Sequence, residues 1–139
     1  MMSNGTTELE LWNLLSMQNT ASAIQFVGIA FLAWVGLRVS NNIGENPDSN
    51  IITKLIGTGF CVAVAWFMLF NFALLTWSMT GTASGFEEIA ANGGALTDAA
   101  RMFIDFAGTS EGFNIIPNPP QALLLITILA MQIVGIWKK

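Results

Sequence analysis

The chain has 139 residues, of which 53% are hydrophobic and only 10% are charged, and its mean hydropathy is +0.60. This composition excludes an ordinary water-soluble domain and indicates an integral membrane protein. The length leaves room for one membrane domain, residues 1–139, and excludes a second, catalytic domain. The net charge of −4 is informative mainly through its distribution along the chain.

The first predicted element is a long helix that crosses the membrane. Thr7 and Glu10 have the spacing of a capping box, and an apolar stretch follows at residues 20–37. The spacing predicts a helix of about residues 8–39, which is too long for the hydrocarbon core alone. Its amino-terminal part therefore stands clear of the bilayer or lies along the interface. We expect Gly44 and Pro47 to break the chain after it.

A second apolar stretch at residues 55–77 predicts a second membrane-crossing helix of about residues 52–79. Neither stretch alternates apolar and polar residues, so barrel strands are excluded. Because the break between the two stretches is short, the two helices should form a long antiparallel hairpin.

The polar insert at residues 80–119 is predicted to form short amphipathic helices outside the membrane. Ser84 and Glu87 have capping-box spacing, which predicts a short helix that Gly93 and Gly94 end. A second helix should start near Ala95, with apolar residues at intervals of three and four and with Arg101 and Asp105 able to pair on its polar side. A lone helix of this length is marginal in water, so its apolar side must rest on the outer leaflet, on the first helix or on another protein.

The third apolar stretch, residues 121–137, predicts a membrane-crossing helix of about residues 120–137, with Pro119 and Pro120 at its start. The expected fold is therefore an all-α integral membrane protein with three transmembrane helices. It consists of a long antiparallel hairpin plus a third span, with short amphipathic helices in an outer-side loop.

The distribution of cations predicts the orientation. Four cations flank one side of the expected membrane, whereas Arg101 alone lies on the other. We expect the amino terminus outside and the carboxy terminus in the cytoplasm, or the equivalent arrangement in the membrane of a lipid-containing virion. The four cations are Arg38, Lys54, Lys138 and Lys139.

The side chains that commonly perform chemistry are scarce. The chain has no His, no Tyr and a single cysteine, Cys61, so it lacks the usual ligands of haem, zinc or copper and the pairs that activate a nucleophile. We expect no catalytic residues, no cofactor and no metal. A carboxylate metal site is the alternative to a solvated acidic surface. The acids available for it are Glu87, Glu88, Asp98 and Asp105.

Small and amide side chains inside the spans predict where helices pack. Small residues let helix backbones approach closely in lipid, and amides hydrogen-bond across helices, although an amide could also mark a substrate path. The bulky faces opposite these residues could meet either lipid or a partner subunit. The predicted packing residues are Gly28, Gly36, Gly57, Cys61, Ala65, Asn71 and Gln132.

Three apolar residues of the insert, Leu96, Phe103 and Phe106, are predicted to dock a partner, because the acidic insert suits an anionic membrane surface poorly. We therefore expect a non-catalytic structural or accessory subunit of a larger membrane assembly. Its partners would be membrane lipids and other integral membrane subunits in a hetero-oligomer, with no nucleic acid. One alternative is a small self-assembling, membrane-permeabilising protein of the holin type. Others are a lattice protein of a lipid-containing virus and a subunit that contributes side chains to a partner's active site.

Overall fold

The structure is a computed structural model that describes residues 7–109 and 112–138. Over these residues the chain is all-helical and contains no β-strand. The four helices are α1 (Glu8–Glu45), α2 (Ile51–Ala91), α3 (Asp98–Ala107) and α4 (Pro119–Trp137). Three of them, α1, α2 and α4, are long and apolar enough to cross a membrane, which agrees with the expected multi-pass fold class.

Helix α1 begins at the predicted capping box. The backbone N–H of Thr7 donates to Oε2 of Glu10 at 2.7 Å, and the N–H of Glu10 donates to Oγ1 of Thr7 at 3.3 Å. The helix continues to Glu45, beyond the predicted end, so the expectation that Gly44 breaks the chain was wrong. The break comes at Asn46 and Pro47 instead, where Oδ1 of Asn46 accepts the N–H of Asp48.

Helix α2 runs without interruption from Ile51 to Ala91, so the separate short helix predicted to start near Ser84 does not exist. The Ser84 hydroxyl does not cap a new helix but donates to the carbonyl of Thr80, one turn earlier in the same helix. The predicted stop is confirmed, since Gly93 adopts φ +80°, a conformation that a residue with a side chain rarely takes.

The two remaining helices have well-defined amino-terminal caps. Thr97 caps α3, with its hydroxyl accepting the N–H of Ala100. Asn118 caps α4 in a reciprocal capping box with Gln121, and Pro119 opens the helix. The tandem prolines therefore belong to the first turn of α4, where their missing N–H groups cost nothing.

The chain divides into two compact units, and α1 and α2 each contribute a segment to both. The first unit combines the chain up to Ala23 with Ala73–Asn114, and so contains α3. The second combines Ile24–Phe72 with the chain from Ile115, and so contains α4. Both α1 and α2 are about 60 Å long, roughly twice the hydrocarbon thickness, so part of each helix lies outside the bilayer if it spans one.

Each unit has an interior of its own. In the first unit Phe86 and Ala83 of α2 and Ala100 of α3 are fully buried. In the second unit the core consists of residues from α1 and α2 with partly buried α4 residues packed against it. The buried members of that core are Ile29, Ala33, Val64, Met68 and Phe72.

Candidate docking surface

Three aromatic rings from three helices meet in the first unit, and we call them the aromatic cluster: Trp12 of α1, Phe86 of α2 and Phe103 of α3. Trp12 lies 4.9 Å from Phe86 and 5.3 Å from Phe103, measured between ring centroids, and Phe86 lies 6.0 Å from Phe103. Two of these pairs are edge-on, the arrangement that aromatic quadrupoles favour by about 1 kcal/mol. The aromatic cluster therefore holds α3 against α1 and α2.

A second contact joins the start of α3 to the start of α1. The Glu8 carboxylate accepts the N–H of Thr97 at 3.0 Å and the hydroxyl of Thr97 at 2.5 Å, and it also accepts the indole N–H of Trp12 at 3.1 Å. The hydrogen bonds from the Thr97 hydroxyl, from its N–H and from Trp12 lower the pKa of Glu8 below its ordinary value of 4.5. Glu8 lies twelve residues ahead of the apolar stretch, outside the expected membrane.

Helix α3 carries apolar residues on more than its packed side. Its covered face includes Ala100, which is fully buried, and Phe103 of the aromatic cluster. A neighbouring row at helical spacing stays exposed, and we call it the outer stripe: Ala99, Met102 and Phe106. Met102 is 71% exposed and Phe106 is 78% exposed. The docking of α3 within the chain therefore leaves the outer stripe uncovered.

The structure separates the three predicted docking residues. Leu96 is half-buried, and Phe103 packs into the aromatic cluster, so the apolar side of α3 rests partly on the first helix, one of the three options that the sequence left open. Phe106 points away from that packing and is exposed. Whether any of the three contacts a partner stays a prediction.

The acids of the first unit remain on its surface. Glu87, Glu88, Asp98 and Asp105 are all exposed. Among the residues that the structure describes, no group of three His, Cys, Asp or Glu side chains could hold a metal ion. The predicted pair between Arg101 and Asp105 is not formed, since the single ion pair within the described ranges links Lys138 to Glu45 at 3.2 Å.

Small residues lie at close helix contacts in the second unit. A Cβ atom placed on Gly57 would lie 2.6 Å from Cδ1 of Ile43, and one placed on Gly36 would lie 2.5 Å from Nε2 of Gln132. Cys61 is fully buried, and its Sγ lies 3.6 Å from Oγ of Ser40. These predicted packing positions therefore lie at close contacts among α1, α2 and α4.

The two buried amides bridge helices. Nε2 of Gln132 in α4 donates to the carbonyl of Ala33 in α1 at 2.9 Å, and Nδ2 of Asn71 in α2 donates to Oε1 of Gln25 in α1 at 3.2 Å. In lipid such bonds contribute about 1 kcal/mol each, and they satisfy groups that would otherwise be costly to bury. This geometry suits interhelical hydrogen bonding.

Two predicted packing residues lie outside these close contacts. Ala65 is half-buried, and Gly28 is exposed, with no described atom within 4 Å of the position its Cβ would take. Within the described residues, no side chain packs on Gly28.

The closest approach of two helices in the second unit was not predicted. A Cβ atom on Gly44 of α1 would overlap the carbonyl oxygen of Gly135 of α4, and one on Gly135 would lie 3.2 Å from Cβ of Ser40. Near this contact the indole N–H of Trp137 donates to Oγ1 of Thr58 at 3.1 Å. Gly135 lies in the third apolar stretch, but Gly44 lies in the polar segment after the first, so nothing in the sequence pairs these two positions.

A scan of the chain against models of protein families finds no match, and searches of curated proteins and of solved structures find no significant similarity.

Proposed function

We propose that this chain is a non-catalytic structural or accessory subunit of a larger, multi-subunit membrane assembly. Its transmembrane faces and the outer stripe of α3 would contact the other subunits. The observation that carries the proposal is the exposure of Met102 and Phe106 on a helix that is otherwise anchored by the aromatic cluster. Exposed apolar side chains clustered on one helix face are typical of interaction sites.

The distance of α3 from the apolar stretch, measured along α1, favours a protein partner over lipid hydrocarbon. Phe103 contacts Trp12, which precedes the apolar stretch at Thr20 by eight residues, or about 12 Å of helix. The headgroup region adds only about 5–8 Å on each side of the hydrocarbon. Phe106 is three residues further along α3, at most about 5 Å closer to the membrane. Lipid chains would therefore not reach the outer stripe.

The non-catalytic part of the proposal rests on composition. The chain has no His or Tyr, and its one thiol, Cys61, is fully buried beside Ser40.

We place the amino terminus and α3 outside and the turn at Asn46 in the cytoplasm, because four of the five cations flank the turn and the carboxy terminus.

The proposal is tested by co-purification of full-length variants in mild detergent. We expect Phe106→Ser and Met102→Ser to reduce the recovery of other subunits, because each removes apolar surface that the partner would bury. Leu9→Ser is the control, since Leu9 is 69% exposed in the same unit but lies on α1 and is not part of the outer stripe. Recovery that does not change in the two α3 variants would contradict docking through the outer stripe.

A further inference from the structure

The outer stripe has a charged border. Asp98 and Asp105 are exposed and seven residues apart on α3, so they lie on one side of the helix about 10 Å apart. On the helical projection both lie nearer to Met102 than Arg101 does, on the edge of the outer stripe that faces away from the aromatic cluster. A partner that covers Met102 and Phe106 must therefore also meet these two carboxylates.

Neither carboxylate is neutralised by a described residue. In the described ranges no ion pair or hydrogen bond involves the side chain of Asp98 or Asp105, and Arg101 does not pair with either. A partner surface with further negative charge would be repelled by Asp98 and Asp105, whereas a cation in contact with them would be attracted.

The first unit as a whole also carries a net negative charge. Its described residues include six acids and one base, Arg101. An anionic bilayer surface would be repelled by this unit. This repulsion is a second reason, beside the distance of α3 from the apolar stretch, to exclude lipid as the partner that covers the outer stripe. The six acids are Glu8, Glu10, Glu87, Glu88, Asp98 and Asp105.

We propose that the outer stripe binds a protein segment in which Lys or Arg residues flank apolar side chains. Two cations about 10 Å apart would face Asp98 and Asp105, and the apolar side chains between them would cover Met102 and Phe106. The inference rests on the proposed function, and it adds the chemistry of the partner to it. Rim charges of this kind act chiefly on association rate and specificity, and the apolar contact supplies most of the affinity.

The test uses the full chain in its own membrane, with a photo-reactive amino acid in place of Met102. We expect an adduct with a protein whose cross-linked segment carries Lys or Arg next to apolar residues. The matched control carries the same group in place of Glu88, which is exposed on α2 outside the outer stripe. An adduct with lipid, with a second copy of this chain or with a segment without basic residues would overturn the inference, as would the absence of any adduct.

A second experiment tests the role of the two carboxylates, using the Asp98→Asn/Asp105→Asn variant with the same cross-linker. At low ionic strength its adduct yield should fall by about threefold. Raising the salt until the Debye length shrinks from about 10 Å to about 3 Å should lower the yield for the parent chain and change it little for the variant. Glu87→Gln/Glu88→Gln is the control and should behave as the parent. Equal yields and equal salt dependence in all three proteins would overturn the inference.

Two safeguards keep these outcomes separate. Because Asp98 lies in the first turn of α3, its replacement could loosen the helix, so Asp105→Asn alone is measured as well and should show part of the same effect. If the cross-linker at Met102 finds lipid while complexes still co-purify, the inference fails and the proposed function stands. If the chain co-purifies with no other subunit, the proposed function itself fails.

Discussion

The Glu8 carboxylate accepts both the backbone N–H and the hydroxyl of Thr97, at 3.0 and 2.5 Å, across most of the length of the chain. The same hydroxyl accepts the N–H of Ala100 at 3.3 Å and so caps α3. One side chain, Thr97, therefore both starts α3 and ties it to the first turn of α1. The outer stripe depends on this contact and on the aromatic cluster for its position.

Loss of the cap should loosen α3 without unfolding the long helices. We expect Thr97→Ala to reduce the local stability of α3 by about 1 kcal/mol, the usual effect of removing an N-cap side chain. Hydrogen exchange of the amides in Asp98–Ala107 should become faster, while exchange in α4 stays the same. Thr109→Ala is the control, because Thr109 is exposed and lies after the helix. If both variants exchanged alike, the cap would have no role in holding α3.

The contact between Glu8 and Thr97 should weaken in acid. The pKa of Glu8 in the folded chain lies below its ordinary value of 4.5. The stabilisation that the ionised Glu8 carboxylate gives to the folded chain is therefore fully present above about pH 4.5 and is lost as the pH falls through the lowered pKa. The indole N–H of Trp12 donates a hydrogen bond to Glu8, so its NMR resonance should shift over that acidic range. The resonance should stay constant between pH 5 and pH 8, roughly the range where carboxylates stay ionised. Glu8→Gln should abolish the shift, and a transition near neutral pH would contradict the assignment.

The approach of α1 to α4 should tolerate no side chain at Gly44. Gly44→Ala places a methyl group against the carbonyl oxygen of Gly135, and a backbone atom cannot move aside as a flexible side chain can. We expect a loss of about 2 kcal/mol in thermal unfolding followed in detergent, within the range for overpacked contacts. Gly28→Ala is the matched control in the same helix, because its Cβ would meet nothing within 4 Å. Equal stability of the two variants would show that the helices do not pack here.

The local features of this fold could be predicted from the sequence, and the distant contacts could not. The capping box at Thr7 and Glu10 was predictable because both partners lie in one helical turn. The same spacing at Ser84 and Glu87 was misleading, since a serine inside a continuing helix can donate to a carbonyl of the preceding turn. A local pattern alone does not say whether the chain before it is already helical.

Contacts between distant positions decide what the surface presents. The apolar repeat in α3 was readable, and it predicted Leu96, Phe103 and Phe106 as one face. The sequence did not show that Trp12 and Phe86 would cover Phe103 and leave Met102 exposed beside Phe106. Nor did it pair Gly44 with Gly135, because close packing of two glycines depends on helix registration rather than on either segment alone.

Orientation is tested by cysteine labelling in sealed vesicles or cells. A cysteine introduced at Asn46 should react with an impermeant reagent only from the cytoplasmic side, and one at Thr109 only from the opposite side. Cys61 is fully buried and should stay unreactive in both experiments, so the natural thiol gives no background. Labelling with the two sides exchanged would overturn the orientation and place the outer stripe in the cytoplasm.

The mass of the intact particle after gentle detergent extraction tests the central claim most directly. Native mass spectrometry of the wild-type chain should show a complex that contains this 15.0 kDa chain together with at least one different membrane subunit. The Phe106→Ser variant, extracted in parallel, should yield less of that complex. A particle that holds only the 15.0 kDa chain, alone or in multiple copies, would contradict the role of an accessory subunit in a larger assembly.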